Sequence, residues 1–184
     1  MQAVSFDAMD TIITMSEPFS EVYSRVAGDF GFSVNPSKVA TSFPEYFKRL
    51  SDSHPCFGFR SIGHFEWWKR IVFRSIGHFE WWKRIVQGCL DEACASPIPR
   101  QTVAEIARRL FDFYASAHAW RIVDPEFKTV ATYLRDRGLG VAVVSNFDAR
   151  LSGILRGLDL LPLFDLVVTS GEVGVEKPNP ETIC

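Results

Sequence analysis

The alternation of hydrophobic and polar positions changes character twice along the chain. An apolar run over residues 3 to 7 ends in a carboxylate and predicts a short strand that finishes at Asp7. From about Glu17 to Trp120, apolar residues recur every three or four positions, as they do on amphipathic helices. Beyond Trp120 the pattern predicts helices that alternate with buried strands: helices over 125–137 and 149–158, and strands over 141–144 and 166–169.

Strands that alternate with helices are typical of a parallel sheet covered on both faces, since each crossover returns the chain to the same end of the sheet. The first strand must share that sheet, so the helical block is an insertion directly after it. We therefore predict an α/β fold, a Rossmann-like doubly wound parallel sheet with an inserted α-helical cap. The predicted core domain comprises residues 1–15 and 121–184, and the predicted cap comprises residues 16–120.

One stretch of the predicted cap occurs twice. Phe59–Val72 and Phe73–Val86 carry the same fourteen letters, FRSIGHFEWWKRIV. Two identical copies indicate a duplication, a splice event or an assembly error rather than a solenoid, which needs at least three repeats. Fourteen residues fall only about 40° short of four helical turns, so a continuous helix would keep one face inward. We expect either a lengthened helix or one copy looped out, with Gly63 or Gly77 as the weak point.

Composition and charge narrow the classes of function. The 184 residues carry 20 Lys and Arg against 22 Asp and Glu, a net charge of −2, and 47% are hydrophobic. This balance argues against a protein that binds nucleic acid by neutralising phosphates, and no apolar stretch reaches the length of a membrane span. We expect a cytoplasmic protein, with the nucleus as the alternative, and a small-molecule substrate as its partner. Four cysteines without a C-x-x-C pair are expected to be reduced thiols.

The candidate chemistry lies at the predicted strand ends. Polar residues follow each predicted strand: Asp7 after the first, Ser145 and Asn146 after the second, and Ser170 after the third, with Lys177 soon afterwards. Ligands of open parallel sheets bind at the carboxyl ends of the strands, so these side chains are expected to converge. A carboxylate beside a hydroxyl and an ammonium group can attack phosphorus or carbon, while the donors stabilise the charge that develops.

Three segments carry a family resemblance. VSFDAMDTI at 4–12, VVSN at 143–146 and GVEKPNP at 174–180 resemble, in this order, the first three motifs of the haloacid dehalogenase (HAD)-like hydrolase superfamily. The predicted helical cap also lies between the first two motifs, as in that family. The resemblance covers essentially the whole chain and implies a hydrolase.

The resemblance also implies roles for individual residues. Asp7 would be the nucleophile that forms an aspartyl ester, Ser145 would donate a hydrogen bond to the transferring group, and Lys177 would offset negative charge. Asn146 would bind and orient the substrate or orient Asp7. The Asp7 carboxylate and the backbone carbonyl of Met9 would help to bind Mg²⁺, the family cofactor.

Met9 departs from the phosphatase pattern. In family phosphatases the residue two beyond the nucleophile is an aspartate that protonates the leaving oxygen, a contribution of typically 10²- to 10⁴-fold. Met9 cannot donate a proton, and Asp10 is not expected to replace the acid because neighbouring residues on an extended strand point to opposite faces. Family dehalogenases need neither this acid nor a metal, so the reaction type stays open.

A second departure concerns the family's fourth motif. The resemblance places that acidic motif, which supplies Mg²⁺ ligands, after one further strand, whereas this sequence ends at Cys184. We therefore expect a truncated form with weak Mg²⁺ binding, impaired turnover and self-association through an exposed first strand. The favoured function is a phosphatase acting on a small phosphorylated substrate. The alternatives are a catalytically silent binding or regulatory protein and a metal-independent 2-haloacid dehalogenase.

Overall fold

The computed structural model describes residues 2–58 and 76–179. The chain divides into two compact units, a sheet unit of Met1–Ser16 with Tyr114–Cys184 and a helical unit of Glu17–Phe113. Within the described ranges, no helix combines the length and apolar character needed to cross a membrane. In chain order the elements are β1 (Ala3–Phe6), β2 (Ile13–Met15), α1 (Phe19–Gly28), α2 (Pro36–Ser53), α3 (His78–Ala93), α4 (Arg100–Ala115), β3 (Trp120–Ile122), α5 (Phe127–Asp136), β4 (Gly140–Ser145), α6 (Leu151–Gly157), β5 (Leu166–Thr169) and α7 (Ser170–Val173).

The sheet unit is built on three parallel strands in the order β1-β4-β5. Val141, Val143 and Val144 of the central strand β4 are buried, which explains why an uninterrupted apolar run predicted this strand correctly. Helix α5 packs against the sheet through the ring of Phe127, which lies 5.3 Å from that of Phe6 in an edge-to-face contact. The predicted parallel α/β fold is confirmed.

Strand β1 lies at one side of this sheet. Among the described residues it pairs with β4 alone, in a register that sets Phe6 opposite Val143. The expected self-association through this strand stays a prediction. A second, antiparallel sheet joins β2 to β3. Sequence analysis did not predict it, because strands of three residues are too short to show a period of two.

The helical unit packs α2 against α3 around aromatic side chains. Trp81 is fully buried, and its indole N–H donates a 3.0 Å hydrogen bond to the carbonyl of His54. The rings of Phe47 and Phe57 meet Trp81 edge-on at 5.3 and 5.2 Å. Asn35 begins α2 by accepting hydrogen bonds from the backbone N–H groups of two following residues, Ser37 and Lys38.

Only part of the repeated stretch belongs to the described residues. The first copy, 59–72, and Gly63 within it lie outside them, as do the first three residues of the second copy. In the second copy, α3 begins at His78 directly after Gly77, whose φ of 73° is not helical. A single helix therefore does not run through Gly77, where sequence analysis had expected the weak point.

Candidate active site

Asp7 and Lys177 meet at the carboxyl end of the parallel sheet. Asp7 follows β1 directly, and Lys177 Nζ lies 2.9 Å from Asp7 Oδ1. The same carboxylate oxygen accepts a 2.8 Å hydrogen bond from the backbone N–H of Ala8. The parallel register sets Phe6 opposite Val143, so Asp7 lies level with the carboxyl end of β4. The structure shows the predicted convergence of a carboxylate and an ammonium group, which lie 170 residues apart in the sequence.

The ammonium group of Lys177 is also tied to β4. It donates a 2.8 Å hydrogen bond to the backbone carbonyl of Val144, in addition to its contact with Asp7. An ammonium group has three N–H donors, so these two contacts leave one donor for a ligand. The side chain is 29% exposed, which keeps that donor within reach of solvent.

Ser145 ends β4 beside this pair. It is 1% exposed, and its hydroxyl oxygen reaches no hydrogen-bond partner of good geometry among the described residues. It nevertheless lies near enough to lower the pKa of Asp7. A buried hydroxyl without a partner is unfavourable, so the position favours a ligand atom that can accept its proton.

The surroundings of Asp7 act on its pKa in opposite directions. Partial burial raises the pKa, because a charged carboxylate loses hydration. The hydrogen bond from Lys177 lowers it, and the Ser145 hydroxyl and the Ala8 N–H add to that effect. The net result is a pKa below the ordinary value of 3.8, so Asp7 is a carboxylate at neutral pH. An ionised carboxylate is the form that can act as a nucleophile.

Asn146 contacts the backbone of Lys177 in both directions. Its side-chain oxygen accepts a 2.8 Å hydrogen bond from the Lys177 N–H, and its side-chain nitrogen donates a 3.0 Å bond to the Lys177 carbonyl. The amide nitrogen keeps a second N–H, so the predicted contact with a substrate remains open as a prediction. The structure places all of Asp7, Ser145, Asn146 and Lys177 at one rim of the sheet unit.

The segment that follows β4, residues 146–150, is fixed by contacts that sequence analysis missed. The carboxylate of Asp148 is 1% exposed and accepts hydrogen bonds from Arg150 Nε and Nη2 at 2.9 and 2.7 Å. The carbonyl of Phe147 accepts a 2.9 Å hydrogen bond from the Gly171 N–H. An Asp-x-Arg spacing is common on solvated surfaces, so the sequence carried no signal for this buried pair.

Ser170 faces this segment rather than Asp7. It is fully buried, and its hydroxyl donates a 3.4 Å hydrogen bond to the Phe147 carbonyl. Met9 forms an isolated β-bridge with Ile13. The carboxylate of Asp10 accepts a 2.7 Å hydrogen bond from the Thr14 hydroxyl, so it has a local partner of its own.

The described residues do not make up a magnesium site by themselves. Mg²⁺ requires a near-octahedral shell of oxygen ligands. Within 2–58 and 76–179, no group of three or more His, Cys, Asp or Glu side chains is placed to hold an ion. Asp7 and the Met9 carbonyl are the two expected ligands, and one Asp7 oxygen is already engaged by Lys177.

The parallel sheet and the acid–lysine pair at its strand ends define a Rossmann-like α/β protein with a hydrolase-type site. Comparison with known proteins gives the family. The family model described as haloacid dehalogenase-like hydrolase matches residues 1–184. Human haloacid dehalogenase-like hydrolase domain-containing protein 3 is 32% identical over 181 residues. That match covers 98% of this chain and 65% of the human protein, so the chain spans slightly less than two thirds of its relative.

Solved structures agree on the fold. The defluorinating L-2-haloacid dehalogenase Rha0230 matches with a TM-score of 0.63 at 12% identity, over 99% of this chain and 65% of its own. A HAD phosphatase from Thermococcus onnurineus matches with a TM-score of 0.51 at 18% identity, over 99% and 68%. At these identities the matches show the shared fold alone. The chain belongs to the haloacid dehalogenase-like hydrolase family.

Proposed function

We propose that Asp7 is the nucleophile of a hydrolase and that the favoured substrate is a small phosphomonoester. The observation that carries this proposal is the 2.9 Å pair of Asp7 and Lys177 next to the buried Ser145 hydroxyl, which has no partner of good geometry among the described residues. Within the same residues, one ammonium donor of Lys177 and the Ser145 hydroxyl can donate to a ligand, and a phosphoryl group offers several anionic acceptors.

The reaction would take place in two displacements. An oxygen of Asp7 attacks phosphorus, the bond from phosphorus to the ester oxygen breaks, and that oxygen leaves with the electron pair. Water must protonate the leaving oxygen, because Met9 carries no acidic proton. A second water then attacks the aspartyl phosphate, which releases phosphate and restores the Asp7 carboxylate. Lys177 and Ser145 stabilise the charge on the transferring oxygens during both steps.

Slow turnover of this chain is part of the proposal. The missing proton donor at position 9 costs typically 10²- to 10⁴-fold in rate for a poor leaving group. The human relative extends beyond the matched region, since only 65% of its length is covered.

Met9 favours a second candidate, a metal-independent 2-haloacid dehalogenase. In that reaction Asp7 attacks carbon, the carbon–halogen bond breaks, and the halide leaves with the electron pair. Water then hydrolyses the ester to give a 2-hydroxy acid. A halide ion needs no proton when it leaves, so methionine at position 9 is no handicap to this reaction.

Product release from two substrates tests both candidates. Phosphate release from p-nitrophenyl phosphate is measured with and without Mg²⁺, and chloride release from 2-chloropropionate without metal. Asp7→Asn removes the nucleophile, and Asp136→Asn is the matched control because Asp136 is exposed on α5.

The outcomes separate the hypotheses. Phosphate release that is lost in Asp7→Asn and kept in Asp136→Asn is the expected result. Halide release with the same dependence on Asp7 would favour the dehalogenase. Turnover that survives Asp7→Asn would overturn the assignment of the nucleophile, and no turnover of either substrate would favour the silent binding protein.

A further inference from the structure

We propose that Asn146 is a positioning residue that holds Lys177 against Asp7 through the lysine backbone. Both polar atoms of one side chain are used on one residue: Asn146 Oδ1 accepts from the Lys177 N–H at 2.8 Å, and Asn146 Nδ2 donates to the Lys177 carbonyl at 3.0 Å. The Asn146 amide thus pairs with the Lys177 backbone as a neighbouring strand would, and this fixes the position of the Lys177 backbone relative to the end of β4.

The arrangement ties Lys177 to β4 at both ends of the residue. Asn146 holds its backbone, and the Val144 carbonyl accepts a 2.8 Å hydrogen bond from its ammonium group. Val144 and Asn146 flank Ser145, so three consecutive residues of one strand end set the position of the cation and supply the free hydroxyl.

Such a tie is needed because lysine is flexible. Four methylene groups separate the lysine backbone from its ammonium group, and fixing such a chain loses considerable rotamer entropy. A backbone that is held at both its N–H and its carbonyl restricts where the ammonium group can reach. A contact of 2.9 Å with Asp7 depends on that restriction, because an ion pair weakens as soon as water separates its members.

The structure makes a consequence measurable at Lys177. Loss of the Asn146 amide leaves the two backbone groups of Lys177 to water, which can reach them because these bonds are exposed. The protein should stay folded, while the lysine side chain becomes more mobile and its ammonium group spends less time beside Asp7.

The experiment is a carbon-13 relaxation measurement on the Cε group of Lys177 in the full chain, labelled at its lysines and assigned with Lys177→Met. We compare the unaltered chain with Asn146→Ala and with Asp7→Asn, which removes the ion-pair partner and gives the order parameter of a released lysine side chain. Asn35→Ala is the matched control, since Asn35 also makes two side-chain hydrogen bonds to the backbone, both as acceptor, but lies in the helical unit. Asn146→Gln, which keeps the amide and displaces it by one methylene, is measured as well in case Asn146→Ala fails to fold.

The expected result is a fall in the order parameter of Lys177 Cε in Asn146→Ala or Asn146→Gln, towards the value in Asp7→Asn, and no change in Asn35→Ala. An unchanged order parameter in the Asn146 variants would overturn the proposal, and so would a fall of the same size in Asn35→Ala. The role of this contact in turnover rests on the proposed function, but the relaxation measurement needs no substrate, so the two can fail separately.

Discussion

Gly171 lies close to the backbone of Phe147 and Asp148, and replacing it by alanine tests how tight this contact is. A Cβ atom at this position would lie 2.8 Å from Asp148 Cα and 3.1 Å from the Phe147 carbonyl oxygen. Both obstacles are backbone atoms of the segment 146–150, so no flexible side chain can move aside. The φ of Gly171 is not positive, so alanine would meet a steric conflict and no conformational one.

The expected size of the effect follows from two opposing contributions. Forcing a methyl group into a well-packed contact typically destabilises by about 1–3 kcal/mol. Replacing glycine by alanine also reduces the entropy of the unfolded chain, which stabilises by about 0.4–1 kcal/mol. We therefore expect Gly171→Ala to lower the free energy of unfolding by about 1–2 kcal/mol. In a chain of this size that corresponds to a fall in Tm of about 2–8 °C.

Gly153 supplies the matched control. It lies within α6, and a Cβ atom built on it would meet no heavy atom of the described residues within 4 Å, apart from its chain neighbours and the backbone of its own helix. Gly153→Ala should therefore raise Tm slightly, through the entropy contribution alone. Both variants are measured by thermal and urea unfolding followed by circular dichroism. If Gly171→Ala proves as stable as Gly153→Ala, the close approach to Asp148 is not a real constraint, and the argument for a fixed segment after β4 fails.

Two further predictions concern the helical unit. Deleting residues 59–72, the first copy of the repeat, should leave the Tm of thermal unfolding unchanged or raise it. Gly58 already lies against Ile76, and the three residues that remain between them can join them. A clear fall in Tm would show that the first copy contributes packing of its own. Burial raises the pKa of Cys89 from 9.0 to about 11, so 5,5′-dithiobis(2-nitrobenzoic acid) at pH 8 should label the less buried Cys94 first. The Cys89 thiol loses its proton at lower pH in the unfolded chain than in the folded protein, so its ionisation should lower the free energy of unfolding as the pH rises from about 9 towards 11. Equal labelling rates of Cys89 and Cys94 would contradict both expectations.

The sequence predicted most of the fold because the strands are short continuous apolar runs. The run over 141–144 contains no polar position, whereas a half-exposed strand would alternate apolar and polar residues. The sequence therefore predicts a buried strand, and Val141, Val143 and Val144 are buried in β4. The meeting of Asp7 and Lys177 was predictable for a similar reason, since parallel strands bring their carboxyl ends to one rim. The first prediction, and the place of Asp7 at this rim, depend on the order of elements along the chain, whereas the role expected of Lys177 depended almost entirely on the family resemblance of GVEKPNP at 174–180.

Other features depend on the path of the chain in space, which periodicity does not encode. The Asn146 contact requires the backbone at Lys177 to lie parallel to an amide 31 residues earlier. The β2–β3 pairing joins two three-residue strands that lie on either side of the helical unit in the sequence. The approach of Gly171 to Asp148 is visible only as a distance between backbone atoms.

The buried pair of Asp148 and Arg150 shapes the electric field that an incoming anion meets. An uncompensated carboxylate so close to the strand ends would repel a phosphate or a carboxylate ligand through a poorly polarisable interior. The guanidinium group two residues away cancels that repulsion at short range, through contacts of 2.7 to 3.1 Å. Asp148 therefore adds little repulsion for an anion that approaches Lys177, which already offsets the charge of the Asp7 carboxylate.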